Sequence, residues 1–449
     1  MSRILLSKPA ILCAANSCGE SQMGGGRNDN ATAESSLRGF EKAEAIYKSK
    51  SATPTNFVDC HESAQNLGAD SSDILSAFQK ATPFLQENTT FLGHKIFVGV
   101  CENLLPLPKT TQPHFITRTN TILYNAISTL EPLITNLKNA LGGKSIGISL
   151  GTTTTGIGEN YLAIKKYYEA NATPRDIDYT KIEYVGERSA LCNPADFLKA
   201  HYGLDSLSFG LSSACTSGGK AIIMGARLLQ ANLCKAVICG GVDSLNHLTL
   251  AGFNALEILS QSRSKPFSAE RDGINIGEGA GIFVMINEDL LDSHPQFEND
   301  FQIALLGHKS NNDAFHITQP SPSDKMQLEI LRGFGSVDYI NLHGTGTIAN
   351  DSMEAKIVAK VFPQTPCSTI KPFIGHTLGA AGAIELGVCA ELILHSLKNG
   401  ESPLPPHIYT SAFNDIALVK KGEKKRVKTA LSTSFAFGGD NSAILIGAK

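Results

Sequence analysis

"LSFGLSSACTSGGKAIIMGARLLQ", residues 207–230, is the stretch on which the fold turns. Leu207-Ser208-Phe209-Gly210-Leu211-Ser212 alternates like a strand, and Ala221, Ile222, Met224, Leu228 and Leu229 then recur at helical spacing. Between them stands Cys215, with Gly218 and Gly219 just beyond it. A strand therefore feeds a helix through a turn with almost no side-chain bulk, and a thiol sits at the start of that helix. The chain next enters "KAVICGG" (235–241), a short apolar run of the kind buried on both faces of a parallel sheet.

The same alternation extends outward. "KSIGISLG" (144–151) and "VDYINLHG" (337–344) read as buried strands, and "TILYNAISTLEPLITNLKNAL" (121–141) as a helix. This predicts an α/β protein with parallel sheets covered by helices. A faint repeat adds a second layer of order. "ACTSGGKAIIMGARLL" followed by "KAVICGGVDS" resembles "GHTLGAAGAIELGVCAELIL" (375–394) followed by "KTALSTSFAFGGDNSAILIG" (428–447). Two similar halves, residues 1–295 and 296–449, account for it. Chance similarity between glycine-rich segments is the competing explanation. Residues 16–80 show little periodicity and are expected to be irregular, with two or three short helices.

The 449 residues are 42% apolar and 18% charged, ample for a large core, and the net charge is −3. No basic run points to nucleic acid or to an anionic membrane. No stretch reads as long enough to span a bilayer. The Lys8-Pro9 pair interrupts the apolar N-terminus and argues against a signal peptide. Ten cysteines are scattered through apolar segments without a CxxC pair, so reduced, buried thiols are expected and a zinc site is not. A cytoplasmic location follows from these readings.

Cys215 is the candidate for chemistry in this stretch. The first N–H groups of a helix are unpaired and its dipole favours negative charge, so a thiol there is expected to have a lowered pKa. A structural cysteine at a close-packed junction would show the same local pattern, and the segment alone does not choose. "NLHGTGTIANDSMEA" (341–355) puts His343 at the end of a strand, and "STIKPFIGHTLGAAGA" (368–383) puts Lys371 and His376 around another strand-to-helix junction. Strand ends are where open α/β sheets deliver groups to a ligand. His94, His201 and His407 lack such placement and read as ordinary surface or core residues.

Together these segments resemble the β-ketoacyl-acyl-carrier-protein synthases of the elongating class. "ACTSGG" matches the nucleophile motif of that family, "HGTGT" with Asp351 and Glu354 its first histidine motif, and the Lys371–His376–"GAAGA" segment its second. "KPFSAERDGINIGEGAG" (265–281) and "FAFGGDNSA" (435–443) resemble two further family segments. The similarity covers roughly residues 140–449, while the usual glycine-rich N-terminal opening is replaced by "CAANSCGES". The resemblance implies a thiolase fold, a five-layered α-β-α-β-α sandwich of two similar halves, with the strand before Cys215 at a dimer interface.

It also implies roles. Cys215 would take an acyl chain as a thioester. His343 and His376 would donate hydrogen bonds to a malonyl thioester as carbon dioxide leaves. Lys371 would hold the local network, paired with Glu354, while Glu354 and Asp351 orient the loop. The N–H groups of Cys215 and Phe437 would form the oxyanion hole, Phe437 also acting as a gate. Thr345 and Thr347 would touch pantetheine. Ala436 stands where the family has a flexible glycine and Asp440 where it has threonine, so altered gate motion is expected. Aligning "LGTTTTGIG" (150–158) puts Thr154 in the acyl pocket. A run of threonines there suggests a polar or conjugated chain, hence a specialised polyketide or aryl-polyene-type synthase, unless the hydroxyls bond to their own backbone. Asp272 and Glu278 read as turn and packing residues.

No cofactor or metal is implied, because the substrates ride on the phosphopantetheine of an acyl-carrier protein. The carrier protein is acidic, so Lys109, Arg118, Arg263 and Lys265 are candidate docking residues. The partner subunit would be a second copy or a related ketosynthase-like chain. Three alternatives share features. A chain-length partner of a heterodimer has the same fold but typically loses the nucleophile that this chain keeps. A biosynthetic thiolase would use a second cysteine near the C-terminus, where none stands. An initiating synthase would pair histidine with asparagine.

Overall fold

The computed structural model describes residues 2–17, 72–170 and 178–449. The irregular structure expected over 16–80 falls mostly on residues 18–71, outside that description; at its end, Ser72–Gln79 is helical.

Eleven strands join one continuous sheet. In chain order they are β1 Ile4–Leu6, β2 Ala10–Cys13, β3 Ile146–Gly151, β4 Ser208–Leu211, β5 Ala236–Asp243, β6 Gly279–Asn287, β7 Ile303–Asn312, β8 Tyr339–Asn341, β9 Cys367–Ser368, β10 Thr429–Ala436 and β11 Asp440–Ala448. From the antiparallel β1–β7 contact the sheet extends symmetrically. One arm runs β1-β6-β5-β3-β4 and the other β7-β11-β10-β8-β9, with β2 added on β6. In each arm the outer three strands are parallel and the inner two join antiparallel.

The helices that position the site are α1 Arg118–Ile127, α2 Asn193–Tyr202, α3 Ser217–Gln230, α4 Lys325–Leu331, α5 Ile348–Val361 and α6 Ala381–Asn399. Helix α3 connects β4 to β5 and α6 connects β9 to β10, the same crossover in each arm. These are the two segments whose sequences repeat. Helices α3 and α6 touch each other and lie between the arms. Helices α1 and α2 cover the outer face of one arm, and α4 packs on the other with α5 against it. The five-layered α-β-α-β-α sandwich is therefore present, its two sheets fused along β1 and β7.

Two expectations change. Residues 121–141 do not form one helix: α1 ends at Ile127, a 3-10 turn spans Ser128–Leu130, and a second helix runs Glu131–Leu141. Pro132 is the reason, since it has no N–H to donate and its ring crowds the carbonyl four residues back. Among the described residues, one stretch is also long and apolar enough to cross a membrane, Leu378–Asn399, 22 residues whose most apolar 18-residue window has mean hydropathy 1.5. Its apolarity is explained by its place between two sheets, where Leu386, Val388, Leu392 and Ile393 are fully buried. Truncating one of these leucines to alanine would cost about 2–5 kcal/mol.

Candidate active site

Strand β4 ends at Leu211, and the turn that follows carries Ala214 in the left-handed region, φ 52°. Cys215 comes next, two residues before α3 begins. Gly218 is required here. A Cβ on it would stand 2.9 Å from the Cβ of Ala383 and 3.0 Å from the carbonyl oxygen of Gly379. Its absence lets the first turn of α3 meet the start of α6, and so brings Cys215 to the second junction.

That junction runs from Lys371–Ile374 through Gly375 and His376 into α6. His376 Nε2 lies 3.0 Å from Cys215 Sγ. Its other nitrogen, Nδ1, accepts the backbone N–H of Leu378 at 3.1 Å. The ring proton therefore sits on Nε2, facing the sulfur. His343, just after β8, stacks edge-on to His376 with ring centroids 5.5 Å apart. Its Nδ1 is 3.4 Å from Lys371 Nζ, a donor, so its proton also sits on Nε2. Donor atoms of Cys215, His343 and His376 all lie within 4.8 Å of one another. The same three atoms would suit a soft divalent cation, although a tetrahedral site needs a fourth ligand.

Burial, reinforced by the Lys371 charge, holds both imidazoles well below the usual histidine range. Both are neutral at pH 7 and present N–H donors. The thiol departs from expectation. Cys215 keeps part of its surface open, but its surroundings push the thiol up to about 12. Desolvation dominates; Lys371 and the backbone N–H groups of Phe437 and Cys215 act the other way. The helix N-terminus does not yield a resting thiolate, because removing the sulfur from water costs more than the donors return.

Lys371 Nζ donates to the carboxylate of Glu385 and to the carbonyl oxygen of His343 at 2.5 Å. The expected partner was Glu354. Glu354 instead accepts the N–H groups of His343 and Gly344, both at 2.7 Å, and the Thr433 hydroxyl at 3.0 Å. It is fully buried, which raises it to about 7, and it shapes the loop that aims His343. Asp351 likewise accepts from Phe267 N at 2.7 Å and Gly346 N at 3.1 Å. Thr347 caps α5, and its hydroxyl lies 3.1 Å from that of Thr345.

Thr154 is not a polar wall of a pocket. Thr152, Thr153 and Thr154 give their hydroxyls to the fully buried carboxylate of Asp243, at 2.6–2.8 Å. The N–H groups of Thr153, Thr154 and Gly379 complete six donors to that one carboxylate, at 2.6–2.9 Å. The threonine hydroxyls are thus taken up by Asp243, and within the run the Thr152 hydroxyl also accepts the backbone N–H of Thr155 at 3.3 Å, the own-backbone bonding expected as the alternative. Asp243 was missed as a site residue, though "GGVDS" placed it at the end of β5. It links the β3 loop to the residues after His376.

Phe437 is half-buried, its ring centroid 6.2 Å from that of Phe253. Ala436 is extended at φ −97°, so the loss of glycine there imposes no strain; Gly438 and Gly439 carry the positive φ values of 81° and 71°. Of the four docking candidates, Arg118 turns its head inward while its side chain stays 32% exposed. Its guanidinium pairs with Glu278, which is 1% exposed, and donates to Cys101 O at 2.8 Å. Lys109 is exposed, and Arg263 lies over the Phe97 ring at 5.2 Å. Lys265 pairs with Glu270 at 2.6 Å.

Known proteins resemble this chain over most of its length. The family models described as "Beta-ketoacyl synthase, N-terminal domain" and "Beta-ketoacyl synthase, C-terminal domain" match residues 134–289 and 303–403. A 3-oxoacyl-[acyl-carrier-protein] synthase 2 of Coxiella burnetii is 31% identical over 69% of this chain and 76% of its own length. The tetracenomycin polyketide synthase ketoacyl synthase alpha subunit of Streptomyces glaucescens is 28% identical over 68% and 75%. Two other synthases are covered over only 57% and 59% of their lengths. A solved ketosynthase in complex with its chain length factor, from Xenorhabdus doucetiae, matches with TM-score 0.76 and 28% identity, over 100% of this chain and 98% of that one.

Proposed function

We propose that this chain, which belongs to the β-ketoacyl synthase family, condenses malonyl-acyl-carrier protein with an acyl group held on Cys215. The convergence of two neutral imidazole N–H donors on a thiol at a helix N-terminus carries the reading. In the first step the Cys215 sulfur attacks a carrier thioester. The tetrahedral oxyanion sits between the N–H groups of Cys215 and Phe437. As the C–S bond to the carrier breaks, the thiol proton passes to the departing pantetheine sulfur, so no permanent base is needed.

In the second step the malonyl carboxylate leaves as carbon dioxide. The electron pair of the broken C–C bond collects on the thioester oxygen, where Nε2–H of His343 and of His376 donate. The enolate carbon then attacks the acyl-Cys215 carbonyl and expels the sulfur, which regains a proton from solvent. Lys371 keeps both rings neutral by its charge and fixes the tautomer of His343. Thr345 and Thr347 contact the pantetheine arm in this reading, and no cofactor is required.

The chain divides at 295/296, between β6 and β7, and works in the cytoplasm. It pairs with a second copy or with a related ketosynthase-like chain through the β4 edge, where Phe209 and Leu207 are exposed. The solved neighbour, a ketosynthase bound to its chain length factor, favours the related chain as partner. An acyl-carrier protein docks near Lys109, Arg263 and Lys265. Intact-mass analysis after incubation with a panel of acyl-carrier-protein thioesters tests the reading. One acyl group should appear, on the Cys215 peptide, and should vanish in Cys215→Ala. Acylation that persists in that variant excludes the assignment.

A further inference from the structure

The oxyanion hole inferred above is built from two elements that are far apart in sequence. One donor, Cys215 N–H, stands before α3. The other, Phe437 N–H, opens the Phe437–Gly439 turn between β10 and β11. Gly438 and Gly439 give this turn little resistance to swinging. On one side it is held to the chain after β7. Gly438 N donates to Ile317 O at 2.8 Å, Asn312 Nδ2 to Gly438 O at 2.9 Å, and Asp313 N to Gly439 O at 2.8 Å. None of these three bonds refers the turn to Cys215; only the Phe437 N–H itself, which donates toward the sulfur, does so directly.

Asp440 adds a side-chain tie that does not involve the sulfur. It is the first residue of β11, three after Phe437. Its Oδ2 accepts from Thr216 Oγ1 at 2.6 Å and its Oδ1 from Lys220 Nζ at 2.5 Å. Thr216 directly follows Cys215, so its bond to Asp440 grips the nucleophile turn itself; the Ser213 carbonyl oxygen, 2.7 Å from the same hydroxyl, competes for its single proton. The Asp440 side chain is 9% exposed and that of Lys220 28%, well shielded for an ion pair. A cation in the first turn of a helix opposes the dipole. Lys220 there is accounted for by its partner. The carboxylate bonds to neither Sγ nor an imidazole.

We propose that Asp440 is a positioning residue that sets the spacing of the two oxyanion donors, with Thr216 and Lys220 as its anchors on the nucleophile helix. The inference rests on the condensing reading above, and it is separable from it. Acyl transfer to Cys215 builds an oxyanion, whereas alkylation of the same sulfur by iodoacetamide substitutes at a saturated carbon and builds none. The two reactions thus report the hole and the nucleophile independently.

The test compares both in Asp440→Asn, which keeps an acceptor for Thr216 but loses the charge facing Lys220, and in Asp440→Ala, which loses both. With acyl-N-acetylcysteamine thioesters, kcat for acylation should fall about tenfold in Asp440→Asn and further in Asp440→Ala, less than the 10²–10³ for losing a donor outright. KM and the iodoacetamide rate should stay within about twofold, a split that a general loss of structure would not give. Lys220→Arg should retain acylation and Lys220→Met should lose it as Asp440→Asn does. Unchanged acylation, or acylation and alkylation falling together, overturns the proposal. If the wild type accepts no acyl group, the functional reading falls. Hydrogen exchange at the Phe437 amide then decides the bridge: faster exchange in Asp440→Asn sustains it and unchanged exchange removes it.

Discussion

The turn at 214–217 and the turn at 375–380 hold equivalent places in the two arms of the sheet, each between an outer parallel strand and a central helix. Both hold a non-glycine residue in the left-handed region beside the functional group, Ala214 at φ 52° and Leu378 at φ 53°. Such strain persists where the surroundings over-determine the backbone. Their chemistry nevertheless differs. At the first, the sulfur faces N–H donors and His376 Nε2, and burial keeps it a thiol. At the second, one ring nitrogen is filled by Leu378 N–H, which forces the other to be a donor. A duplicated scaffold thus supplies two helix starts, and the local hydrogen-bond partner decides whether the group placed there attacks or donates.

The largest effect should come from removing the imidazole donors, His376 of the second turn and His343 of the loop after β8. His376→Ala or His343→Ala should lower condensation roughly 10²–10³-fold, while acyl transfer to Cys215 falls less. Paired single-turnover assays of the two half-reactions check this; equal losses in both would erase the distinction between the turns. Asp243 ties the β3 loop to the second turn. Asp243→Ala leaves six donors without their acceptor, and should cost about 3 kcal/mol or more. Denaturant unfolding measures it, and a neutral result would make the threonine run dispensable.

The thiol at the first turn should react as a thiol. With its pKa raised to about 12, the thiolate fraction stays small through neutral pH and grows about tenfold per pH unit. Iodoacetamide alkylation followed from pH 7 to 10 should climb accordingly. A plateau near neutrality would mean that the helix start dominates after all. The smallest effect lies at the rim. Arg263→Glu with Lys265→Glu should raise KM for carrier-bound substrate several-fold and leave a small thioester unaffected. Arg118→Glu should instead destabilise the fold by leaving Glu278 unpaired in the core.

Much of this was legible because short-range rules govern it. The strand–turn–helix reading of 207–230 needs only periodicity and small residues, and the α3–β5 and α6–β10 repeat survives in composition. Cys215, His343 and His376 sit at strand ends that local pattern can find. Two docking candidates with equal local credentials, Arg118 and Arg263, separated only in the fold. One meets a carboxylate 160 residues away and the other lies over an aromatic ring.

The sequence by itself determined the α/β alternation, the faint internal repeat and the placement of Cys215, His343 and His376 beside strand ends, since each depends on neighbours along the chain. Only the tertiary structure decided the partners of the buried charges. Lys371 meets Glu385 rather than Glu354, three threonines converge on Asp243, and Asp440 reaches Lys220. A buried charge must find a partner wherever the packing brings one, and no period in the sequence encodes which carboxylate will be within reach. The thiol's pKa belongs to the same class. A helix start is visible in the chain, but the burial that outweighs it exists only once two arms of the sheet have closed around α3 and α6.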